Sequence, residues 1–291
     1  MTLLILFRIL LSVSANAVQK RLLLDRAGVN HTWILTYSIM LLPALAFALL
    51  HATPVTASFW RDILIGGGLD AIGNLAMVAA LRGTDLSIFG PLNALRPIIA
   101  LLFGWFFLAE NPTPIGLLGI AITVGGGVIL FSGRTGDHSS TSTPPRASIW
   151  KPLFLRTTGL SLGVIGAVFL KRAAMVSSAE VTVAAWIFCG LIVLVLFAAL
   201  RHRESIITLK PALTEHWKWL LVHSAMFLTM QLLTIKIFQA TLHAYSFVFF
   251  QLGMVLQVFV GRIFFRETAF LRRLIASLVM ALGSILILWR G

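Results

Sequence analysis

Long apolar runs alternate with short polar breaks along this chain. The clearest pair of runs is Leu86–Leu108 and Ile115–Phe131, separated by the turn Ala109–Pro114. Each run is long enough, or nearly so, to cross about 30 Å of hydrocarbon at about 1.5 Å per residue. The turn contains a Pro-x-Pro sequence, which leaves backbone polar groups without hydrogen bonds inside the turn. Lipid offers no hydrogen-bond partners for these groups, so the turn is predicted to lie at a membrane surface. The pattern predicts a membrane hairpin.

The same alternation predicts an all-α polytopic membrane protein with ten transmembrane helices. A Ser/Thr/Pro-rich stretch, 134–151, has no apolar periodicity and indicates a flexible linker. It divides the chain into a first five-helix repeat (1–133) and a second (152–291). The predicted helices cover 2–24, 32–50, 62–81, 86–108, 115–131, 152–176, 180–200, 217–241, 245–265 and 271–289, with a basic loop at 201–215.

The two halves resemble each other at an offset of 157 residues. Phe107–Asn111 corresponds to Phe264–Thr268 at this offset. Single positions correspond as well: Gly104 with Gly261, Leu95 with Leu252, Gly126 with Gly283, and Asn74 with Gln231. Five spans are an odd number, so the two copies must lie in opposite orientations in the membrane. Inverted repeats are typical of secondary transporters, whose substrate site lies between the repeats near the midplane.

Composition agrees with this interpretation. Hydrophobic residues make up 58% of the 291 positions and charged residues 11%, and the mean hydropathy is +0.95. Soluble domains are closer to half apolar and a quarter charged. The net charge of +13 does not indicate nucleic acid, because most Lys and Arg lie between apolar runs, where they set topology and meet anionic head groups. The single cysteine, Cys189, excludes a disulfide framework, and no metal cluster or Walker loop predicts a cofactor or an enzyme site.

Four short motifs of the first repeat make it recognisable. They are AALRGT at 79–84, PLNALRP at 91–97, FLAENP at 107–112 and LLGI at 117–120. They resemble the EamA-type repeat of the drug/metabolite transporter superfamily, and the resemblance covers both halves. It implies ten helices in the cytoplasmic (inner) membrane and a central cavity lined mainly by helices 1, 3, 4, 6, 8 and 9. It also implies movement of a small metabolite, often outward, without naming the substrate.

Two positions depart from the family pattern. Arg96 stands where a small residue usually precedes the proline of the fourth helix, and Asn111 stands where a basic residue usually follows the turn glutamate. Arg96 introduces a cation into the expected cavity wall. It therefore favours a substrate with an anionic group over the neutral substrates of other members.

Charged and polar side chains inside the spans are candidates for the site, because such groups are costly in a bilayer. Asn93 and Arg96 share a helix face, and Pro97 frees the carbonyl of Asn93. Arginine suits carboxylate and phosphate, whereas the alternative is an Arg96–Asp70 ion pair between helices. The predicted substrate-binding residues are Arg96, Asn93, Asn74, Gln231, Arg8, Asn16, Lys236 and Gln251, with Asp70 as a coupling or ion-pair residue.

Several of these side chains have a second interpretation. Arg8 and Lys236 lie near helix ends and could extend to the membrane interface. Asn74 and Gln231 occupy equivalent repeat positions, which favours the cavity, but could instead form interhelical hydrogen bonds. His223 is predicted to be interfacial.

Orientation is ambiguous. The connections after odd-numbered helices, counted together with Lys20 and Arg21 at the end of the first helix, hold eleven Lys and Arg residues. Those after even-numbered helices hold only Arg61, and the C-terminus adds Arg290. The positive-inside rule therefore places both termini outside the cytoplasm. The family resemblance implies both termini inside it.

The function predicted is a secondary transporter, an exporter or exchanger, of a small metabolite with a carboxylate or phosphate. One alternative is a flippase for a lipid-linked phosphate or sugar, and another is a non-transporting membrane partner protein. The predicted partners are a small-molecule substrate and the lipid bilayer. The sequence leaves open whether the chain is a monomer or a homodimer.

Overall fold

Helices form all the regular structure in the part of the chain that the computed structural model describes. That part comprises residues 2–25, 28–82, 85–89, 91–96, 98–99, 113–131, 150–201, 209–240 and 252–290. The helices are α1 (Thr2–Leu24), α2 (Val29–Leu50), α3 (Ala57–Arg82), α4 (Leu86–Phe89), α5 (Pro114–Phe131), α6 (Trp150–Met175), α7 (Ala179–Arg201), α8 (Leu209–Ala240), α9 (Leu252–Phe265) and α10 (Phe270–Arg290). The predicted all-helical fold class is confirmed.

Six of these helices, α1, α2, α3, α6, α7 and α8, are long and apolar enough to cross a membrane. Shorter apolar helices occur at α5 and α9. Large apolar side chains remain exposed on the outer surface, for example Leu49 and Phe154. A soluble domain would bury such a surface, whereas lipid accommodates it. The chain is a multi-pass membrane protein.

Two helices begin five or more residues earlier than the sequence pattern predicts. α3 begins at Ala57 instead of Asp62, and α8 begins at Leu209 instead of Trp217. The prediction of a basic loop is therefore wrong from Leu209 onward. The cause is Pro211, which lies in the first turn of α8, where a missing backbone N–H breaks no helical hydrogen bond. Most of the predicted linker, 134–149, lies outside the described residues.

The predicted fourth helix is interrupted. α4 ends at Phe89, and a 3-10 turn, Pro91–Ala94, follows it before the chain returns to helical conformation at Leu95. Pro91 lacks an N–H, and its ring would clash with the carbonyl four residues earlier in a continuous α-helix. The prediction of one unbroken helix is wrong at this point. Non-helical backbone at membrane depth is tolerated where it lines a polar cavity.

Helices from the two halves pack against each other through glycines. The main packed pairs are α3 with α6, α5 with α10, α2 with α7, and α1 with α8. In the α3–α6 pair, a Cβ atom on Gly66 would lie 2.9 Å from the Gly166 carbonyl oxygen, and one on Gly73 would lie 3.0 Å from the Gly159 carbonyl oxygen. Small residues let helix backbones approach closely where lipid supplies no hydrophobic drive between helices.

Adjacent glycines in α5 provide a matched test of this packing. A Cβ atom on Gly126 would lie 2.5 Å from Met280 Cγ and 3.0 Å from its backbone nitrogen, whereas one on Gly127 would meet nothing within 4 Å. We expect Gly126→Ala to destabilise the protein by about 1–3 kcal/mol through overpacking. Gly127→Ala should be neutral or stabilising by up to about 1 kcal/mol, because alanine favours helix. Thermal unfolding in detergent compares the two; equal midpoints would contradict the close approach of α5 and α10.

A buried ion-pair cluster joins the halves at the end of the bundle where α1 finishes. The Glu267 carboxylate, between α9 and α10, lies 2.6 Å from Lys20 Nζ and accepts hydrogen bonds from the backbone amides of Leu86 (2.7 Å) and Ser87 (2.9 Å) and from the Ser87 hydroxyl. Arg273 lies 3.3 Å from the same carboxylate and donates to Ser87 Oγ. The carboxylate therefore caps the start of α4 and links it to α1 and α10.

Glu267 stays ionised in this cluster. Burial raises the pKa of its carboxyl group, but the charge of Lys20 and the hydrogen bonds from Lys20 and Ser87 outweigh burial and leave the pKa below its ordinary value. The flanking residues Arg266 and Ala269 have φ angles of 51° and 56°. This left-handed backbone on both sides forms the tight loop that carries Glu267 inward.

Candidate functional site

A polar cavity of about 170 Å³ lies among the helices. Its described lining comes from α1, α3, the 3-10 turn after α4, α6, α8 and α9, with Trp33 of α2. These are the helices that the family resemblance implies. Seven of the nine predicted site residues line it: Arg8, Asn16, Asp70, Asn74, Asn93, Arg96 and Gln231.

Arg96 is a cation of this lining that has no hydrogen bond or ion pair among the described residues. Its Nε atom is buried without a hydrogen bond, and the described residues offer its side chain no ion pair within 4 Å. It lies close enough to Arg8, Arg156 and Asp70 to interact electrostatically with all three. Arg8 is anchored differently, because its Nε donates to Thr234 Oγ1 at 3.0 Å.

Arg156 of α6 is the functional candidate that the sequence reasoning missed. Its Nη2 donates to Asn93 Oδ1 at 2.6 Å and to the Phe89 carbonyl at 3.3 Å. The guanidinium carbon lies 3.5 Å from the centre of the Phe89 ring, which adds a cation–π contact. The residue is 3% exposed, and its Nε has no hydrogen-bond partner among the described residues. The interruption after α4 supplies the carbonyl that Arg156 uses.

Asp70 is the acidic residue of the described lining. Its Oδ2 accepts hydrogen bonds from Asn74 Nδ2 at 2.8 Å and from Trp186 Nε1 at 3.1 Å. Asn74 Nδ2 also lies 3.4 Å from the Tyr37 hydroxyl. Asp70 is thus fastened to α3 and α7, and among the described residues it forms no direct ion pair with Arg96.

Neutral polar groups and aromatic rings complete the wall. Gln19 Nε2 and Gln257 Oε1 are buried and have no hydrogen-bond partner among the described residues, although both side chains line the cavity. In the same lining, the Trp33 and Phe227 rings meet edge to face with centroids 5.0 Å apart. Trp33 is held by a hydrogen bond from its Nε1 to the Asn74 carbonyl at 3.1 Å. The cavity therefore combines polar groups with an aromatic surface.

Of the two other predicted residues, only Lys236 is described, and it lies away from the cavity. Lys236 is 53% exposed and forms an ion pair of 2.8 Å with Glu180, so it is not among the cavity residues. Gln251 lies outside the described residues, as does Pro97. His223, predicted to be interfacial, is buried between helices: the side chain is 1% exposed, its Nδ1 lies 3.1 Å from Thr36 Oγ1, and its ring stacks on Phe227.

Comparison with known proteins identifies the first half. Residues 1–132 match the EamA-like transporter family model, which confirms for the first half the resemblance that the sequence motifs indicate. The search of curated proteins gives no match. One solved crystal structure superposes with a TM-score of 0.60 at 16% identity, covering 98% of this chain and 95% of the other. At that identity the likeness shows the fold alone.

Proposed function

We propose, from the premise that residues 1–132 are those of an EamA-like transporter, that this chain is a secondary transporter of a small metabolite carrying a carboxylate or phosphate. It works in the cytoplasmic membrane, as an exporter or exchanger. The cavity is its substrate site. Arg96 and Asn93 bind the anionic group of the substrate. Arg8 and Arg156 add to the positive electrostatic potential of the cavity. The remainder of the substrate is bound by the neutral polar side chains of Asn16, Asn74 and Gln231.

Arg96 carries this proposal, because its guanidinium has no hydrogen bond or ion pair among the described residues. Buried polar groups in proteins are almost always hydrogen-bonded, and a buried charge without a partner costs several kcal/mol. An anionic ligand supplies the missing acceptor atoms, and arginine binds carboxylate and phosphate through two parallel hydrogen bonds. Asp70 is already engaged by Asn74 and Trp186. A ligand is therefore the better partner for Arg96.

Packing between the helices supports an inverted repeat around the cavity. Exchanging the two halves converts the α1–α8 pair into the α6–α3 pair, and it leaves the α2–α7, α4–α9 and α5–α10 pairs unchanged. Individual contacts follow the same exchange. A Cβ atom on Gly126 would meet Met280, and one on Gly283 would meet Thr123. Both members of the second contact are the counterparts of the first at the offset of 157 residues, as a two-fold axis in the membrane plane requires.

A ligand screen tests the proposal. The purified protein would be heated in detergent with a library of small anionic, neutral and cationic metabolites, and each compound that raises the unfolding midpoint would be tested for uptake into proteoliposomes. A ligand that binds only the folded state stabilises it by mass action. We expect the stabilising compounds to carry a carboxylate or phosphate and to enter liposomes faster than without protein. Neutral or cationic compounds as the only ligands, or no ligand at all, would contradict the proposal.

A further inference from the structure

The buried ion pairs around Glu267 lie next to the cavity wall. We call these residues the Glu267 cluster: Lys20, Asp85, Ser87, Glu267 and Arg273. All of them except Asp85 are buried. Two cavity residues, Gln19 and Phe89, stand one residue from Lys20 and two residues from Ser87. The cluster therefore lies between the cavity lining and the end of the bundle where α1 finishes.

Most contacts of the Glu267 cluster join one half of the chain to the other. Glu267 and Arg273 belong to the second half, and the other members belong to the first. The Glu267 carboxylate lies 2.6 Å from Lys20 Nζ, and Arg273 Nη2 lies 2.8 Å from Asp85 Oδ2. The Ser87 hydroxyl donates to the same carboxylate. A movement that separates the halves at this end must break these contacts together.

The described contacts between the halves are weaker at the opposite end, where α2 finishes. The loop after α2 meets the loop after α6 through the hydroxyl groups of Thr53 and Ser177, 2.9 Å apart and exposed. An ion pair of 3.2 Å joins Asp62 of α3 to Arg172 of α6, but the Arg172 side chain is 56% exposed. Exposed hydrogen bonds and ion pairs contribute little to stability, because water competes for the same groups.

The internal repeat is also unequal at these positions. Lys20 corresponds to Lys171 at an offset of 151 residues, and Glu267 corresponds to Glu110 at an offset of 157. The other three positions have counterparts without a charge or a hydroxyl: Asp85 corresponds to Leu242, Ser87 to Ala244 and Arg273 to Gly116. Alternating access in an inverted repeat exchanges the arrangements of the two halves. That exchange cannot rebuild the whole cluster at the opposite end.

We infer that the Glu267 cluster is the gate at its end of the cavity, and that it makes the state closed at this end the resting state. This inference rests on the proposed function and adds the order in which the two ends open. Substrate reaches the cavity of the resting protein from the end where α2 finishes. The cluster separates only when the halves rock apart at its own end.

Labelling of a cavity cysteine from each face of a sealed membrane vesicle tests the gate. Ser12, which lines the cavity, would be changed to cysteine in a Cys189→Ser background, so that the protein has a single thiol. Thr268→Cys and Ala52→Cys, both in exposed loops, identify the vesicle face that carries each end of the bundle. A membrane-impermeant maleimide should label Ser12→Cys about 10-fold or more faster from the end where α2 finishes, since one charged hydrogen bond shifts an equilibrium by about that factor.

Two changes in the Glu267 cluster should open its end. Asp85→Asn removes the charge that pairs with Arg273, and Ser87→Ala copies the residue at the equivalent position of the second half. Each should speed labelling from this end by about 10-fold, because each weakens a hydrogen bond to a charged group. Glu180→Gln is the matched control. It removes an acid whose partner, Lys236, belongs to the same half, so both labelling rates should stay as they are.

The outcomes separate the gate from a merely structural role. The ratio of the rates from the two faces does not depend on how much folded protein each variant yields. Equal rates from both faces before the cluster is changed, or an unchanged ratio in both Asp85→Asn and Ser87→Ala, would overturn the gate. An equal change in Glu180→Gln would overturn it too, because general loosening would then explain the effect.

The same experiment stays independent of the proposed function, because the labelling needs no substrate. A failed gate leaves an anion transporter in place. A ligand screen without anionic compounds would overturn the proposed function, while the labelling rates would still decide whether the Glu267 cluster controls access to the cavity.

Discussion

Replacing Arg96 with glutamine should reduce the affinity for an anionic substrate, and its uptake at low concentration, by about 10- to 100-fold. A hydrogen bond to a charged group contributes about 1.5–3 kcal/mol, and each 1.4 kcal/mol is a factor of ten in affinity. Glutamine keeps much of the length of the side chain but loses the charge and the paired donors. Uptake of the best anionic ligand into proteoliposomes, measured below saturation, gives the ratio.

Lys236→Gln is the matched control for this prediction. It also removes one cation from a membrane helix, but Lys236 faces Glu180 instead of the cavity. We expect its uptake to stay within about two-fold of the parent, since exposed ion pairs contribute only about 0–1 kcal/mol. Equal losses in both variants would mean that net charge, and not the position of Arg96, governs the effect.

Replacing Glu267 with glutamine should destabilise the fold by about 3–5 kcal/mol, the range for removing one partner of a buried ion pair. Lys20 and Arg273 would lose their shared carboxylate, and the amides of Leu86 and Ser87 would lose an ionised acceptor. The thermal midpoint in detergent measures this change. Glu215→Gln is the control, because the Glu215 side chain is 72% exposed and its contact with His216, at 3.8 Å, is long for an ion pair. A shift no larger than that of the control would contradict the structural role of the cluster.

Acid should reproduce part of the Glu267→Gln effect. Because the folded-state pKa of Glu267 lies below its ordinary value, the ionised carboxylate stabilises the protein at neutral pH. That contribution begins to fall below the unfolded pKa of about 4.3 and is lost as the pH passes through the folded pKa. The stability advantage of the parent over Glu267→Gln should therefore shrink below about pH 4.

The local sequence predicts where most of the described helices lie along the chain, because the length of an apolar run depends only on neighbouring residues. The prediction fails where a single residue changes the backbone conformation. Pro91 lies inside an apolar run that predicts one helix, but it interrupts that helix. Pro211 lies in the segment predicted as a basic loop, but it stands in the first turn of α8. In both cases the missing N–H and the fixed φ of proline decide the local structure.

The site was predictable only in part. Rare charges inside apolar runs pointed to Arg8, Arg96 and Asp70, and the same rule would have found Arg156, which lies early in α6. The sequence does not predict which neighbouring helix a given side chain faces. Lys236 meets Glu180, and His223 is buried against Thr36 and Phe227, because of neighbours from other helices. The Lys20–Glu267 pair is 247 residues apart in sequence, so no local pattern indicates it.

The α5–α10 pair has a consequence for synthesis of the chain. Gly126 approaches Met280, which is made about 150 residues later. At roughly 5–20 residues per second, the ribosome needs roughly 10–30 s to reach that partner. During this interval α5 must stay in the lipid with its glycine face uncovered, because the surface that will cover it does not yet exist. Ribosome-bound chains of Thr123→Cys, truncated before and after α10, should therefore differ in the accessibility of this cysteine, which dates the closure of the bundle. Thr123 lies on α5 against Gly283 of α10, and cysteine is close to threonine in size.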